Sequence, residues 1–146
     1  MQKIKICFQD SSHVGTTKLV YEILSVDDSM RYVEIIGEEG ELILNKMKHR
    51  KYSVKAQRKE ELLSLDLFNA KKIEQQYNKS LGKVGFTHVS RKKVHQLVWY
   101  NDGLIIYCTC EGDVDSLKIL EISRKIEAIL GIGHSIELRD LFKIPN

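Results

Sequence analysis

Cys108 and Cys110 are separated by a single residue in a run of strand-forming residues. Residues two apart in a β-strand point to the same face, so the two thiols are expected to be neighbours. A zinc site would need two more ligands, and only Cys7, His95 and His134 offer suitable side chains, none at the short spacing typical of zinc motifs. We therefore predict that Cys108 and Cys110 are small buried residues, and we expect no bound metal.

The residues Gly-Thr-Thr-Lys at 15–18 come after a possible strand and before a predicted helix, which is where a phosphate-binding loop would lie. The segment has one glycine, and its lysine follows the threonines, so it lacks the GxxxxGK[ST] order. We predict that Thr16 or Thr17 is an ordinary helix N-cap. No cofactor is expected.

Residues 46–59 carry seven cations and no acid: Lys46, Lys48, Arg50, Lys51, Lys55, Arg58 and Lys59. Clustered cations of this kind are used to bind phosphates, and the cations at 91–93 would extend the patch if both turns lie on one side. Neither a recognition helix nor a stacking platform accompanies the run. Two alternatives therefore stay open, a solvated loop and a nucleic-acid contact.

Trp99 and Tyr100 lie in another strand-like run. Being adjacent, they are expected on opposite faces of a sheet, so at least one packs under a helix and the other is available to a partner. Both are candidates for a partner surface.

The composition predicts one soluble domain that spans residues 1–146. The chain has 42% hydrophobic and 29% charged residues, and its net charge of +3 is too small to predict a nucleic-acid or membrane partner. Three cysteines are few and odd in number, which favours reduced thiols and a cytoplasmic location. No export signal and no apolar run of about 18 residues is found, so we expect no membrane association.

Hydrophobic periodicity predicts the elements that position these residues. We expect helices at 16–27, 63–81 and about 115–130, the second ending at Gly82 and the third capped by Asp113 or Asp115 and stopped by Gly131 and Gly133. The residues predicted to face inward on the third are Leu117, Leu120, Ile126, Ile129 and Leu130. Strands are expected at 31–36, 41–44, 84–89, 94–100 and 104–110. A short strand at 3–8 and a helical turn at 135–144 are additions, and 45–59 is predicted to be a loop.

The order of these elements is α-ββ-α-βββ-α. It predicts an α+β protein in which a five-stranded antiparallel sheet has helices on its faces. The predicted core covers about residues 16–131, with an N-terminal arm at 1–15 and a C-terminal tail at 132–146.

This order is similar to that of the roadblock, longin and profilin-like small domains. The residues Leu-Gly-Lys-Val-Gly-Phe at 81–86, Ser-Arg-Lys-Lys-Val at 90–94 and Leu-Ile-Ile-Tyr at 104–107 resemble an uncharacterised family of ammonia-oxidising archaea. The resemblance covers about residues 19–130. It implies a domain that dimerises and acts as a scaffold or sensor, sometimes beside small GTPases, without a shared catalytic residue.

Two functional hypotheses follow. The first is a non-enzymatic, homodimeric scaffold or sensor module that acts through protein contacts or a small ligand, with the 41–44 sheet edge or the long helix as its dimer surface. The second is a nucleic-acid-binding accessory protein that uses the basic loop. An enzyme is not expected, because no nucleophile, base and orienting group can be named together.

Overall fold

The computed structural model describes residues 10–48 and 57–132. Its helices and strands, in chain order, are α1 (Asp10–Leu24), β1 (Met30–Ile36), β2 (Leu42–Met47), α2 (Gln57–Gln75), α3 (Asn78–Leu81), β3 (Phe86–Ser90), β4 (Val94–Asn101), β5 (Leu104–Glu111) and α4 (Ser116–Leu130). The strand predicted at 3–8 and the turn predicted at 135–144 lie outside the described residues.

The five strands form one antiparallel sheet in the order β2-β1-β5-β4-β3. The predicted α+β class and sheet are confirmed. Because β1 pairs with β5, the first hairpin and the later three-stranded meander join into a single sheet. The edges are β2, as predicted for this hairpin strand, and β3.

Each face of the sheet has its own apolar cluster. On one face, α1 and α4 pack with Ile23, Ile122 and Ile126 against sheet residues that include Leu97 and Trp99. On the other face, Leu67 and Phe68 of α2 pack against a smaller cluster that contains Tyr32, Val98 and Tyr107. The alternation of side chains along each strand supplies both clusters, so the sheet lies between two helical layers.

The two hairpin turns have the backbone that their residues predict. Asn101 pairs with Leu104 across a two-residue turn in which Asp102 (φ 50°) and Gly103 (φ 78°) are both left-handed, as a tight hairpin requires. In the β1–β2 turn, Gly40 has φ +86°, and a Cβ atom there would lie 3.0 Å from the ring of Phe68. The β1–β2 turn therefore needs glycine both for its backbone and for its packing against α2.

The ends of α4 confirm the prediction, but its inward face differs in part. The Asp115 carboxylate accepts a hydrogen bond from the Lys118 N–H at 2.8 Å, and Gly131 ends the helix in the left-handed conformation. The predicted inward residues Leu117 and Leu120 are 80% and 43% exposed. The buried residues are Ile119, Ile122, Ser123 and Ile126, whose steps of three and four define the core stripe more closely.

Three predicted boundaries are wrong. Helix α1 begins at Asp10, so residues 10–15 of the predicted arm are helical. Strand β2 continues to Met47 because β1 offers partners up to Tyr32, and α2 begins at Gln57, so both ends of the predicted 45–59 loop are regular structure. The long helix is interrupted after Gln75 by tight turns, in which the N–H groups of residues 76 and 77 donate three residues back instead of four.

Candidate ligand groove and interaction surfaces

A groove of about 370 Å³ opens at the end of the sheet where the β1–β2 and β4–β5 turns lie. The first turn contributes Glu38, and the second contributes Asp102 and Gly103. The C-terminal part of α2 forms the opposite wall with Lys71 and Glu74. We call this cavity the turn groove. It is a concave site in which charged groups from separate segments converge.

Two contacts define the interior of the turn groove. The Lys71 Nζ donates a hydrogen bond to the Gly103 carbonyl oxygen at 3.3 Å, which fastens α2 to the β4–β5 turn. Tyr100 at the end of β4 is half-buried, and burial, followed by the nearby Glu74 carboxylate, raises the pKa of its phenol. The phenol therefore stays neutral at physiological pH and can donate a hydrogen bond.

A row of exposed apolar side chains follows the outer side of α2 and α3. Leu65, Ile73, Tyr77 and Leu81 are 50%, 57%, 51% and 79% exposed. Leu65 and Ile73 lie about 80° apart around α2, and Tyr77 and Leu81 follow in the turn and in α3 after the helix is interrupted at Gln75. We call this row the α2–α3 stripe. Single exposed apolar residues are common on protein surfaces, whereas several large ones along one helical layer are a candidate contact surface.

The structure corrects half of the partner surface predicted at Trp99 and Tyr100. The two residues do point to opposite faces, and Trp99 is fully buried under α4, where its Nε1–H donates to the Glu127 Oε2 at 3.3 Å. It also stacks on Phe86 with 5.7 Å between ring centroids. Trp99 is therefore a core residue that no partner can reach, and Tyr100 lines the turn groove.

The described cations of the basic run make contacts within the protein. The Lys46 Nζ lies 5.1 Å from the centre of the Tyr21 ring, and the Lys48 Nζ donates to the Asp27 carbonyl oxygen at 2.8 Å. Arg58 and Lys59 are in the first turn of α2, and Arg50, Lys51 and Lys55 lie outside the described residues. The run is therefore divided between an edge strand, a helix and the segment between them.

The basic segments that begin at 46 and at 91 were expected to form one patch if they lay on one side, and the structure places them near each other only in part. The Lys48 N–H donates to the Arg31 carbonyl oxygen, and the Gly112 N–H donates to the Lys93 carbonyl oxygen. These two bonds place Lys48 and Lys93 at the same end of the sheet. Strands β1 and β5 lie between β2 and β4, so the turns are separated by about 14 Å at the usual strand spacing. They share an end of the molecule but do not form one continuous patch.

The two thiols are buried, as predicted. Cys108 and Cys110 both have no exposed surface and belong to the cluster under α1 and α4. Burial raises the pKa of Cys108 well above its usual value and the pKa of Cys110 to about 12. Both thiols are therefore protonated and unreactive in the folded protein. Among the described residues, no three His, Cys, Asp or Glu side chains are placed to hold a metal ion.

The sequence analysis did not predict that His88 and His95 form a hydrogen-bonded pair. The His88 Nε2 and the His95 Nδ1 are 2.9 Å apart, and the His95 Nε2 lies 2.8 Å from the Val114 carbonyl oxygen. Because the carbonyl only accepts, the neutral form of His95 carries its proton on Nε2 and accepts a hydrogen bond from His88 at Nδ1. Burial and then the neighbouring His95 lower the pKa of His88. This chain of hydrogen bonds ties the edge strand β3 to the segment before α4.

The predicted helix cap at 15–18 is wrong. Helix α1 starts at Asp10, so Gly15, Thr16 and Thr17 lie inside the helix and cannot form its N-terminus. A helix interior has no free N–H groups to offer a phosphate, so this segment is not an anion site.

The turn groove could not be found from local spacing. Its charged residues come from the β1–β2 turn, α2, the segment before β3 and the β4–β5 turn, and only the folded sheet brings them together. The one usable signal was the two glycine-containing turns, which predicted two hairpins but not that their turns would meet.

No protein-family model matches the sequence, and no curated protein is similar to it at the sequence level. Among solved structures, the gliding protein MglB of Thermus thermophilus superposes with a TM-score of 0.63 at 12% identity, over 78% of this chain and 84% of that chain. A roadblock/LC7 domain from Streptomyces avermitilis gives 0.60 at 7% identity, over 78% and 90% of the two chains.

A further MglB structure, described as having a tetrameric arrangement, gives a TM-score of 0.64 at 12% identity, over 81% of this chain and 87% of that chain. The protein therefore has a roadblock/LC7-like fold, which confirms the fold implied by the sequence resemblance. Identities this low establish the fold alone. Within the described ranges, no helix has the length and apolar character needed to cross a membrane.

Proposed function

We propose that the protein is a non-enzymatic scaffold or sensor module that works as a homodimer and acts through a protein partner or a small ligand. The observation that carries this proposal is the α2–α3 stripe, a row of large apolar side chains on the outside of a helical layer. Burying such a row against a second copy removes apolar surface from water in both chains at once, as a two-fold interface does.

The two sheet edges favour an interface that includes the stripe and β3. The β2 edge carries Lys46 and is followed by Lys48, and lysine at an edge opposes strand pairing. The β3 strand, Phe86–Ser90, contains no lysine, arginine or acidic residue, its Val89 is 39% exposed, and the cations that follow at 91–93 lie in the turn beyond the strand. We therefore place the dimer surface on the long helix and β3, in preference to the 41–44 edge that the sequence also suggested.

The solved structures support an assembly without defining it. One MglB of the same fold is described in a tetrameric arrangement. This precedent makes self-association of a roadblock/LC7-like domain a reasonable proposal for this chain.

The proposed absence of catalysis rests on the chemistry of the described groups. The thiols of Cys108 and Cys110 are buried and protonated, so neither is a nucleophile. The ring nitrogens of His95 are occupied by His88 and by the Val114 carbonyl oxygen. No partner for general acid–base chemistry is positioned by these contacts.

The nucleic-acid alternative has weaker support, because Lys46 and Lys48 contact Tyr21 and Asp27 within the protein. Replacing Lys48, Arg50 and Lys51 by Ala tests it. If these cations bind phosphates, each lost contact lowers the slope of log affinity against log salt by about 0.7 to 0.9. We expect the unmodified protein to bind nucleic acid no tighter than about 10⁻⁴ M at physiological salt, and submicromolar binding lost in the variant would establish the alternative.

Cytoplasmic location and kinship with the proteins of ammonia-oxidising archaea are further parts of the proposal. The location is supported by the small number of cysteines and by the unpaired Cys108 and Cys110, and the kinship by the residues at 81–86, 90–94 and 104–107. Fractionation of a cell that expresses the native gene tests the location.

Light scattering coupled to gel filtration tests the dimer. At tens of micromolar, the expected mass is twice the 16.9 kDa of one chain. Ile73→Glu places a charge in the α2–α3 stripe and should yield the monomer mass, since an unpaired buried charge is strongly unfavourable. Leu117→Glu, at an 80% exposed site on α4, is the matched control and should leave the mass unchanged. A wild-type chain that elutes as a monomer contradicts the proposal, and dissociation by Leu42→Glu in place of Ile73→Glu would move the interface to β2.

A further inference from the structure

We infer that the turn groove is a binding site for a small zwitterion, specifically an α-amino acid with a short uncharged side chain. The inference goes beyond the proposed dimer and does not depend on it, because every group it uses belongs to one chain.

The size of the turn groove suits a ligand of this class. Its volume of about 370 Å³ is at the lower end of the range for small-molecule pockets, roughly 300–1,000 Å³. Its walls are also held in place, because Lys71 bonds the Gly103 carbonyl and the β4–β5 turn is a tight two-residue turn. A preformed pocket of this size loses little free energy on ordering around a ligand.

The charges of the lining select a ligand that carries both signs. Carboxylates are supplied by Glu38, Glu74 and Asp102, and ammonium groups by Lys71 and Lys83. A polyanion such as a nucleotide would meet three carboxylates, and a simple cation would meet two lysines. Only a ligand with a separate cation and anion pairs favourably with both sets.

The polar groups of an α-amino acid match this arrangement. Its carboxylate can accept hydrogen bonds from Lys71, Lys83 and the neutral phenol of Tyr100, and its ammonium group can donate to Glu74 and its acidic neighbours. Among the described residues, the apolar part of the lining comes from the side chain of Val84 and the ring of Tyr100, so a short aliphatic side chain fits it best.

Titration of the full-length, ¹⁵N-labelled protein with L-valine tests the inference by amide chemical shifts. The comparison ligands are isobutylamine and 3-methylbutanoate, which keep the side chain but lack the carboxylate or the ammonium group. We expect shifts concentrated at Tyr100, Asp102 and Gly103. Valine should bind at least about tenfold more tightly than either analogue, since a hydrogen bond to a charged group is worth a factor of ten or more.

Variants of the chain complete the test. Glu74→Gln and Lys83→Met should each weaken valine binding by about threefold to fivefold, because both side chains are solvent-exposed and water screens their pairing with the ligand. Lys79→Met changes a lysine that is exposed and does not line the groove, so it should leave the affinity unchanged. The spectra themselves report whether each variant is folded. Absent or scattered shifts, an analogue that binds within about tenfold of valine, or equal effects of Lys83→Met and Lys79→Met would each overturn the inference.

Discussion

The side of α4 that faces the sheet can be tested with a matched pair of substitutions on one helix. Ile122→Ala changes a side chain with no exposed surface in the cluster under α4, whereas Leu117→Ala changes one that is 80% exposed. Periodicity in the sequence had placed Leu117 inward. The two variants therefore distinguish the face seen in the structure from the face expected from the sequence.

The expected magnitudes follow from burial. Ile→Ala removes three buried carbon atoms. At about 0.8 kcal/mol of transfer free energy per carbon, the substitution loses about 2.4 kcal/mol of hydrophobic stabilisation. The cavity left under α4 adds to this, so Ile122→Ala should lower the free energy of unfolding by about 3 kcal/mol. Leu117→Ala exposes no core and introduces a better helix former, so its effect should stay within about 0.5 kcal/mol.

Urea unfolding followed by far-ultraviolet circular dichroism measures both variants. All samples should have one protein concentration, because self-association would make the midpoint depend on concentration. The slope with urea should be the same for all three proteins, so that a shift in midpoint reports stability alone. Equal losses in the two variants, or a larger loss for Leu117→Ala, would refute the orientation of α4.

Three further predictions concern other parts of the sheet. The double change Cys108→Ala and Cys110→Ala should lower the free energy of unfolding by about 1 to 3 kcal/mol, and adding zinc to the wild type should leave its melting temperature unchanged. Because the pKa of His88 is lowered from about 6.5 in the fold, the unfolded chain binds more protons below that pH. Stability should fall as the pH drops below about 6.5, and His88→Gln, which can still donate to His95, should flatten this dependence in urea titrations at a series of pH values. Gly103→Ala should cost about 1 to 2 kcal/mol in thermal unfolding, because φ is 78° at this position.

Much of the fold was predictable because it depends on local chemistry. The Asp102-Gly103 turn, the α4 cap and the Gly131 stop act over a few residues, and each is found where the sequence predicts it, with Asp115 chosen over Asp113 as the cap. The alternation at Trp99 and Tyr100 likewise predicted opposite faces.

The errors occur where a distant partner decides the structure. Strand β2 extends to Met47 because β1 continues opposite it. The segment at 45–59 is charged and lacks a hydrophobic period, so the sequence alone does not indicate this extension. Trp99 was left open as a partner contact because two adjacent residues cannot show which face carries α4. The turn groove and the His88–His95 pair also depend on strand register, so no spacing in the sequence could predict them.

The pairing of β1 with β5 has a consequence for how the chain folds. Each hairpin can form from residues that are close in the sequence. The β1–β5 pairing, here called the seam, instead joins residues such as Arg31 and Glu111, which are 80 positions apart. Closing so long a loop is slow, so we expect the seam to form late and to set the refolding rate. Doubling a loop costs only about 0.6 kcal/mol, so inserting residues between β2 and α2 should cost little stability, provided that α2 keeps Leu67 and Phe68 on the sheet. The β1–β5 pairing holds the sheet together, and α2 can cover the second face only after that pairing has brought Tyr32 and Tyr107 side by side.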